Sequence, residues 1–207
     1  MTAPAIAIFA RAPVAGATKT RLIPALGADG AARLHAQLLE KTVATACAAA
    51  LGPVTLWCAP DTTHPCFQTL DDAFPITLAT QATGDLGDRM LNAFERHASA
   101  GPLLLIGTDC PALTTRTLKD AAAALDPTQD AVFVPAEDGG YVLVGLHRPE
   151  RRLFENMPWG GSDVMAQTRV RLRASGLRWR ELDPLWDVDR PEDLPRFERF
   201  ESAWNTV

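Results

Sequence analysis

Asp109 follows a short apolar run, and this position suits a residue that binds a ligand. Leu103–Ile106 is flanked by glycine and proline, which predicts a short strand buried on both faces. Thr108 and Asp109 come directly after it, at the end of the strand where open α/β sheets bind ligands. Asp109 is therefore a candidate ligand for a metal ion that faces a phosphate. The alternative is that Asp109 only caps the helix that follows.

A loop with two cations follows another apolar run. Ala5–Ala10 predicts a buried strand, and the loop Arg11–Arg21 after it is rich in small residues and ends with Lys19 and Arg21. Small residues let backbone N–H groups approach a phosphate, which the two cations would neutralise. The loop is not a Walker A motif, because Thr18 stands where that motif has glycine. An exposed basic loop is the alternative interpretation.

Two further carboxylates stand near the C-terminus. Asp187 and Asp189 form a D-x-D pair, and on an extended segment their side chains point to opposite faces. Only one of them is therefore expected to share a metal ion with Asp109. The segment also fits a helix entry in which Asp189 caps the helix and Pro191 lies in the first turn. Both interpretations can hold together.

Two glycine-bearing segments are candidate substrate contacts. Glu137–Gly140 predicts a tight turn between apolar runs, since Asp-Gly pairs are typical of hairpins. Its glycines would admit a substrate beside the acidic residues. Trp159–Gly161 fits a mobile substrate loop and an irregular connection equally well. The four histidines are scattered singly and indicate neither a Ser-His-Asp triad nor a zinc site.

Strands alternate with helices along most of the chain, which predicts an α/β fold with a mainly parallel sheet covered by helices on both sides. No linker or repeat interrupts the pattern, so residues 1–207 are expected to form one domain. Further strands are predicted at Pro53–Ala59, Ile76–Thr80, Ala131–Pro135, Gly140–Leu146 and near Leu177–Leu182. Helices are predicted from Asp29 or Gly30 to about Leu51, around Cys66–Ala73, after the loop Gln81–Arg89 to about Ala98, from Thr114 or Thr115 to Leu125, about Ser162–Ala174, and at the C-terminus.

Composition narrows the class of protein. A formal charge of −5 and a pI near 5.4 oppose a nucleic-acid-binding surface, which needs a basic footprint. No apolar run approaches the roughly 20 residues of a membrane span, and the apolar run Ala5–Ala10 lacks the preceding basic residues of a signal peptide. The four cysteines show no C-x-x-C pairing, which favours free thiols in a reduced cytoplasm.

Taken together, five segments resemble the GT-A nucleotide-diphospho-sugar transferase superfamily, and within it a bacterial, largely uncharacterised glycosyltransferase-A-like family. They occur in family order over nearly the whole chain. The first loop is similar to that of phospholactate guanylyltransferases and, more loosely, of molybdenum-cofactor guanylyl- and cytidylyltransferases, whose loops are richer in glycine. The five segments are Phe9–Leu22, Gly84–Met90, Gly107–Pro111, Glu137–Leu146 and Asp187–Leu194.

The resemblance implies a three-layer α/β/α fold around a mixed, mostly parallel sheet, with a nucleotide over the first strand and its loop. Gly84 to Arg89 would help to shape the base pocket. The candidate nucleotide-binding residues are Ala10, Arg11, Gly16, Lys19, Arg21, Gly84, Asp85, Arg89 and Thr108. Lys19, Arg21 and Asp109 are the candidate catalytic residues. Asp138, Gly139, Gly140 and Trp159 are expected to contact the substrate, and Asp109, Asp187 and Asp189 to hold Mg²⁺ or Mn²⁺.

Three functions are compatible with these residues. In nucleotidyl transfer, a phosphorylated small-molecule acceptor attacks an NTP and pyrophosphate leaves. In glycosyl transfer, the donor is an NDP-sugar. Such glycosyltransferases usually carry D-x-D after a central strand, whereas this chain has a single acid in T-D-C-P and a cationic first loop, which favours nucleotidyl transfer. The third is a nucleotide-binding protein without turnover. The base, the acceptor and the oligomeric state are left open.

Overall fold

A seven-stranded sheet forms the centre of the computed structural model, which describes residues 3–204 and side chains up to residue 201. The expected single domain 1–207 extends beyond these residues at both ends. The strand order is β3-β2-β1-β4-β6-β5-β7, and β6 alone among these seven runs antiparallel to its neighbours. The strands are β1 (Ala5–Arg11), β2 (Val54–Ala59), β3 (Ile76–Thr80), β4 (Leu103–Ile106), β5 (Ala131–Pro135), β6 (Tyr141–Leu146) and β7 (Trp179–Glu181).

In the described residues, six α-helices connect or follow the strands. Local sequence sets several of their ends: Thr114, for example, accepts a hydrogen bond from the backbone N–H of Thr117 and so caps the fourth helix. The helices are α1 (Ile23–Ala49), α2 (Pro65–Ala73), α3 (Leu86–His97), α4 (Thr115–Ala124), α5 (Val164–Ala174) and α6 (Leu194–Trp204).

The two most apolar strands lie side by side at the centre. β1 and β4 pair in parallel, with Ala5 opposite Leu103 and Ile8 opposite Ile106. Both strands are buried as predicted, apart from Arg11 at the end of β1. Because the strands are parallel, the loops after them emerge at the same edge of the sheet. The first loop and Asp109 therefore meet there.

Alternate residues of the central strands enter two different cores. Ile6 and Ile8 face a core with α1, α2 and α4, whereas Ala7 and Phe9 face a core with α3 and α5. A third cluster joins α1 to α6 and includes the fully buried Val188. The fold is therefore the predicted three-layer α/β/α arrangement around a mixed, mostly parallel sheet.

Some predicted boundaries differ from the observed ones. α1 begins at Ile23, but its backbone breaks at Gly27, where φ is 71°. The start predicted at Asp29 or Gly30 thus lies just past this break. β7 is shorter than the predicted segment near Leu177–Leu182. Within residues 3–204, no helix has the length and the apolar character that crossing a membrane would need.

Candidate functional site

A cavity of about 720 Å³ opens at the carboxyl ends of β1 and β4. This volume lies within the usual range for small-molecule and cofactor sites. Most of the predicted site residues line it: Ala10, Arg11, Lys19, Arg21, Arg89, Thr108, Asp109, Asp138, Gly140, Trp159 and Asp189. The structure thus brings together side chains from both ends of the chain.

The side chain of Lys19 is buried, although its loop neighbours Ala17, Thr20 and Arg21 are exposed. Its side chain is only 3% exposed, and its Nζ lies 2.6 Å from Oδ1 of Asp109. The ammonium also donates to the backbone carbonyl of Val188. The backbone of Lys19 is left-handed, with φ 50° and ψ 40°, directly before the 3-10 turn Thr20–Leu22. The interpretation of this loop as a solvated basic surface is therefore wrong for Lys19.

Asp109 does not cap the helix that follows it. The cap of α4 is Thr114, while half of the Asp109 side chain is exposed at the cavity. The backbone carbonyl of Asp109 accepts a hydrogen bond of 2.9 Å from the N–H of Val188. Val188 therefore bonds with its N–H to Asp109 and with its carbonyl to Lys19. The C-terminal segment is fixed against the end of β4 in this way.

Asp189 pairs with the second cation of the first loop. Its Oδ2 accepts a hydrogen bond from Nη1 of Arg21, and both side chains are partly exposed. The predicted capping role belongs to another residue: the carboxylate of Asp193 accepts from the backbone N–H groups of Asp189 and Arg190. Pro191 does lie in the first turn, as expected. The side chain of Asp189 therefore does not cap the helix and lines the cavity instead.

Asp187 does not line the cavity but belongs to the same electrostatic cluster. Burial raises the pKa of its carboxyl to about 6, and the negative charges of Asp138 and Asp109 add to the increase. Lys19 acts in the opposite direction. Three carboxylates thus lie close together at this end of the sheet, and their mutual repulsion is unfavourable unless cations offset it.

The second glycine-bearing loop mainly builds the N-terminus of α3. Asp85 and Asp88 form a reciprocal capping box, so the carboxylate of Asp85 accepts from the N–H of Asp88. Gly84 has a φ of 104°, and its carbonyl accepts from Nε of Arg89. Neither Gly84 nor Asp85 lines the main cavity, whereas Arg89 does. Gly16, also predicted to bind nucleotide, is likewise outside the lining.

The opposite wall of the cavity comes from the β5–β6 turn and the segment before α5. Asp138 Oδ1 accepts from the N–H of Gly140, as in the predicted tight turn. Gly139 lies behind the wall, where a Cβ would fall 1.8 Å from the carbonyl oxygen of Ser162. The rings of Tyr141 and Trp159 meet edge to face, with centroids 6.4 Å apart.

Two polar residues that the motifs did not single out, His35 and Gln81, also line the cavity. His35 of α1 is buried, and its Nε2 donates to the carbonyl of Arg11 over 2.9 Å. Burial lowers the pKa of His35. Gln81 donates both amide hydrogens to the backbone carbonyls of Ala10 and Trp57. An isolated histidine in a helix gives no indication in the sequence of a role in the site. The position of Gln81 directly after β3 is a weak indication of such a role.

The carboxylates fit a hard divalent cation that arrives with a phosphorylated ligand. In the described part of the chain, no three His, Cys, Asp or Glu side chains form a metal site by themselves. Asp109, Asp187 and Asp189 nevertheless offer oxygen ligands, and Mg²⁺ is usually bound by one or two carboxylates together with substrate phosphates and water. Mg²⁺ or Mn²⁺ held in this way remains a prediction.

Several solved structures have the same architecture. A proposed nucleotide-diphospho-sugar transferase from Desulfovibrio desulfuricans G20 superposes with a TM-score of 0.81 at 27% identity, covering 92% of this chain and 84% of that one. A CMP:2-keto-3-deoxy-manno-octonic acid synthetase in complex with CTP gives a TM-score of 0.57 at 13% identity, covering 97% and 99%. A 4-diphosphocytidyl-2C-methyl-D-erythritol synthase from Anaerococcus prevotii DSM 20548 gives 0.60 at 10% identity, covering both chains fully.

The fold is therefore that of the nucleotide-diphospho-sugar transferases, which nucleotidyltransferases share. Within it, the chain belongs to the family DUF2064, described as "Uncharacterized protein conserved in bacteria", whose model matches residues 42–161. No curated protein matches the sequence.

Proposed function

We propose that this protein is a metal-dependent nucleotidyltransferase, which joins a nucleotide from an NTP to a phosphorylated small-molecule acceptor and releases pyrophosphate. One observation carries the proposal. Lys19 and Arg21, each paired with a carboxylate, converge with Asp109 at the carboxyl ends of two adjacent parallel strands, on a cavity of about 720 Å³. Open α/β sheets bind their ligands at this position.

The reaction needs little covalent work from the protein. An oxygen of the acceptor phosphate attacks the α-phosphorus, and the bond from that phosphorus to the bridging oxygen of the β-phosphate breaks. Pyrophosphate leaves with the electron pair. Lys19 and Arg21 neutralise the charge on the leaving group, and positioning with electrostatic stabilisation accounts for the rate. Asp109, with Asp187 or Asp189, would hold Mg²⁺ or Mn²⁺, which supplies Lewis-acid stabilisation of the phosphate oxygens when bound.

Pyrophosphate release tests this function. The protein is incubated with each NTP, Mg²⁺ or Mn²⁺, and a panel of phosphorylated acceptors. Arg21→Ala is expected to lower the rate roughly tenfold to a hundredfold, the value of one or two hydrogen bonds to a charged group. Arg116→Ala removes another exposed arginine with a carboxylate partner, which does not line the cavity, and should leave the rate unchanged. Equal losses in both variants, or binding without any release, would contradict the proposal.

One observation favours a second candidate, glycosyl transfer from an NDP-sugar. All the cationic side chains that line the cavity, with His35, come from β1, its loop, α1 and α3. In the described structure, the opposite wall has no Lys, Arg or His, and consists of Asp138, Gly140, Tyr141, Val142, Trp159, Gly160, Gly161 and Val164. An aromatic wall with one carboxylate suits a sugar ring better than a second phosphate.

The two reactions are separated by their leaving groups. NDP-sugar as the sole donor, with release of NDP and no pyrophosphate from any NTP, would establish glycosyl transfer. Trp159→Ala is expected to weaken binding of an NDP-sugar while sparing the NDP alone, because the indole lies on the wall without cations. An equal loss for both ligands would place the sugar elsewhere.

A further inference from the structure

The ammonium group of Lys19 occupies the carboxylate that the proposed metal would need. Its Nζ lies 2.6 Å from Oδ1 of Asp109, within direct bonding distance. The lysine side chain is almost completely removed from solvent, whereas Asp109 remains half exposed toward the cavity. A ligand that enters the cavity therefore meets this carboxylate with the lysine already bound to its Oδ1.

The surrounding backbone holds Lys19 in this place. Val188 donates its N–H to the carbonyl of Asp109 and accepts from Nζ of Lys19 with its own carbonyl. The left-handed backbone at Lys19 is uncommon for a residue with a side chain and persists where the surrounding structure requires it. The ion pair is thus part of a built arrangement of three segments.

An ammonium and a divalent cation compete for one carboxylate. Two like charges a few ångströms apart repel each other strongly at a partly buried site. A metal ion that takes Oδ1 of Asp109 therefore displaces Lys19, and the displaced ammonium then needs another anion. A polyphosphate in the same cavity supplies one.

We propose that Lys19 is a resident counter-ion of Asp109, exchanged for the metal when a polyphosphate binds, so that the cavity takes metal and polyphosphate together. This rests on the proposed function, because the polyphosphate is that of the nucleotide. Binding of the two ligands is then mutually dependent: each increases the affinity for the other by the same factor. The free metal alone binds weakly, since it gains Asp109 only at the expense of the ion pair.

Neutral variants of Lys19 test the exchange, because they should bind metal more tightly. The protein is titrated with Mn²⁺ in the absence of nucleotide, and free Mn²⁺ is measured by electron paramagnetic resonance. Lys19→Met and Lys19→Gln are expected to bind Mn²⁺ roughly tenfold more tightly than the unmodified protein, a typical coupling between two sites. The glutamine amide can still donate to the carbonyl of Val188, which keeps the test valid should Lys19→Met fail to fold.

Matched controls decide what a gain means. Lys119→Met removes an exposed lysine of α4 and should leave the Mn²⁺ affinity unchanged. Adding Asp109→Asn to Lys19→Gln should abolish the gain. Unchanged or weaker Mn²⁺ binding in both neutral Lys19 variants would overturn the proposal. The same titration with each NTP, NDP or NDP-sugar present should tighten Mn²⁺ binding by the unmodified protein but much less by the variants.

The Mn²⁺ titrations with and without nucleotide test the proposed function and this inference separately. If no nucleotide changes the Mn²⁺ affinity of the unmodified protein, then the proposed function fails, whatever the nucleotide-free titration gives. If nucleotides and Mn²⁺ bind together but the neutral variants gain nothing without nucleotide, then only the counter-ion role is wrong.

Discussion

A buried ammonium group is tolerated only where its hydrogen-bond donors find partners, and Lys19 meets this requirement with a carboxylate and a backbone carbonyl. The residue therefore has a structural role as well as its proposed role toward phosphates. A lysine in a loop of small residues gives no indication of this burial. Its partner carbonyl at Val188 lies 169 residues away in the chain, which local sequence patterns do not connect.

Lys19→Ala should accordingly destabilise the free protein. The carbonyl of Val188 loses its partner, which costs about 1–3 kcal/mol for a buried group. Urea denaturation without metal or nucleotide measures this loss. Lys119→Ala, on the surface of α4, should stay within about 0.5 kcal/mol of the unmodified protein. If the two alanine variants are equally stable, then the bonds of Lys19 in the folded state contribute nothing net.

Substitution of Asp187 should have the opposite effect to Lys19→Ala and increase the stability of the protein. Its pKa of about 6 in the folded protein, raised first by burial and then by Asp138, exceeds the roughly 3.9 of an unfolded aspartate. The folded state therefore binds the proton more tightly, and stability is lost as the pH rises through this window and stays lost above it. With chelator present, Asp187→Asn should raise the free energy of unfolding at pH 7.5. The gain should shrink below pH 6 and disappear near pH 4. With metal present instead of chelator, Asp187→Asn should weaken metal-dependent nucleotide binding. A gain that is the same at all pH values would refute the electrostatic explanation.

At the scale of elements, apolar runs and turn residues indicated most of the sheet correctly. β4 and the first six residues of β1 are uniformly apolar, so the burial of both strands followed from the sequence. The turn between β5 and β6 was equally clear from Asp138 and its two glycines. The C-terminal segment was harder to interpret. The sequence predicted Asp189 as the cap, whereas the structure shows that Asp193 accepts the backbone hydrogen bonds.

The glycines of the site differ in what an added methyl group would meet. Gly139 has a φ of 97°, and a Cβ there would overlap the backbone of Ser162. Gly139→Ala should therefore separate the β5–β6 turn from the segment before α5, at a cost of about 1–3 kcal/mol for the strained backbone alone. Gly107 lines the cavity at the end of β4, with no atom within 4 Å of an added Cβ.

Gly107→Ala and Gly139→Ala form a matched comparison. Gly107→Ala should keep its thermal stability but weaken nucleotide binding, because its methyl group enters the cavity. Gly139→Ala should lower the melting temperature even without ligand. Thermal denaturation with and without nucleotide distinguishes the two effects. An unaffected Gly139→Ala variant would show that the packing around the turn differs from this structure. A destabilised Gly107→Ala variant would show that the space beside Gly107 is not open.

At the scale of the whole molecule, the site connects segments from both ends of the chain. Lys19 and Arg21 precede α1, whereas their partners Val188 and Asp189 precede α6. Asp109 lies between them at the end of the central strand. A ligand that binds all three segments therefore stabilises the native arrangement as a whole, since the unfolded chain cannot present them together.

This coupling can be measured as a change in melting temperature. A matching nucleotide with Mg²⁺, at a hundred times its dissociation constant, should stabilise the protein by about 2.7 kcal/mol. For a chain of 207 residues this corresponds to a rise of roughly 5–11 °C, at about 2–4 °C for each kcal/mol. Asp109→Asn should lose most of the rise that depends on Mg²⁺, because its amide is a poorer ligand, yet should still accept a hydrogen bond from Lys19 and remain folded. If Asp109→Asn retains the full Mg²⁺-dependent rise, then the metal binds elsewhere and Asp109 is not its ligand.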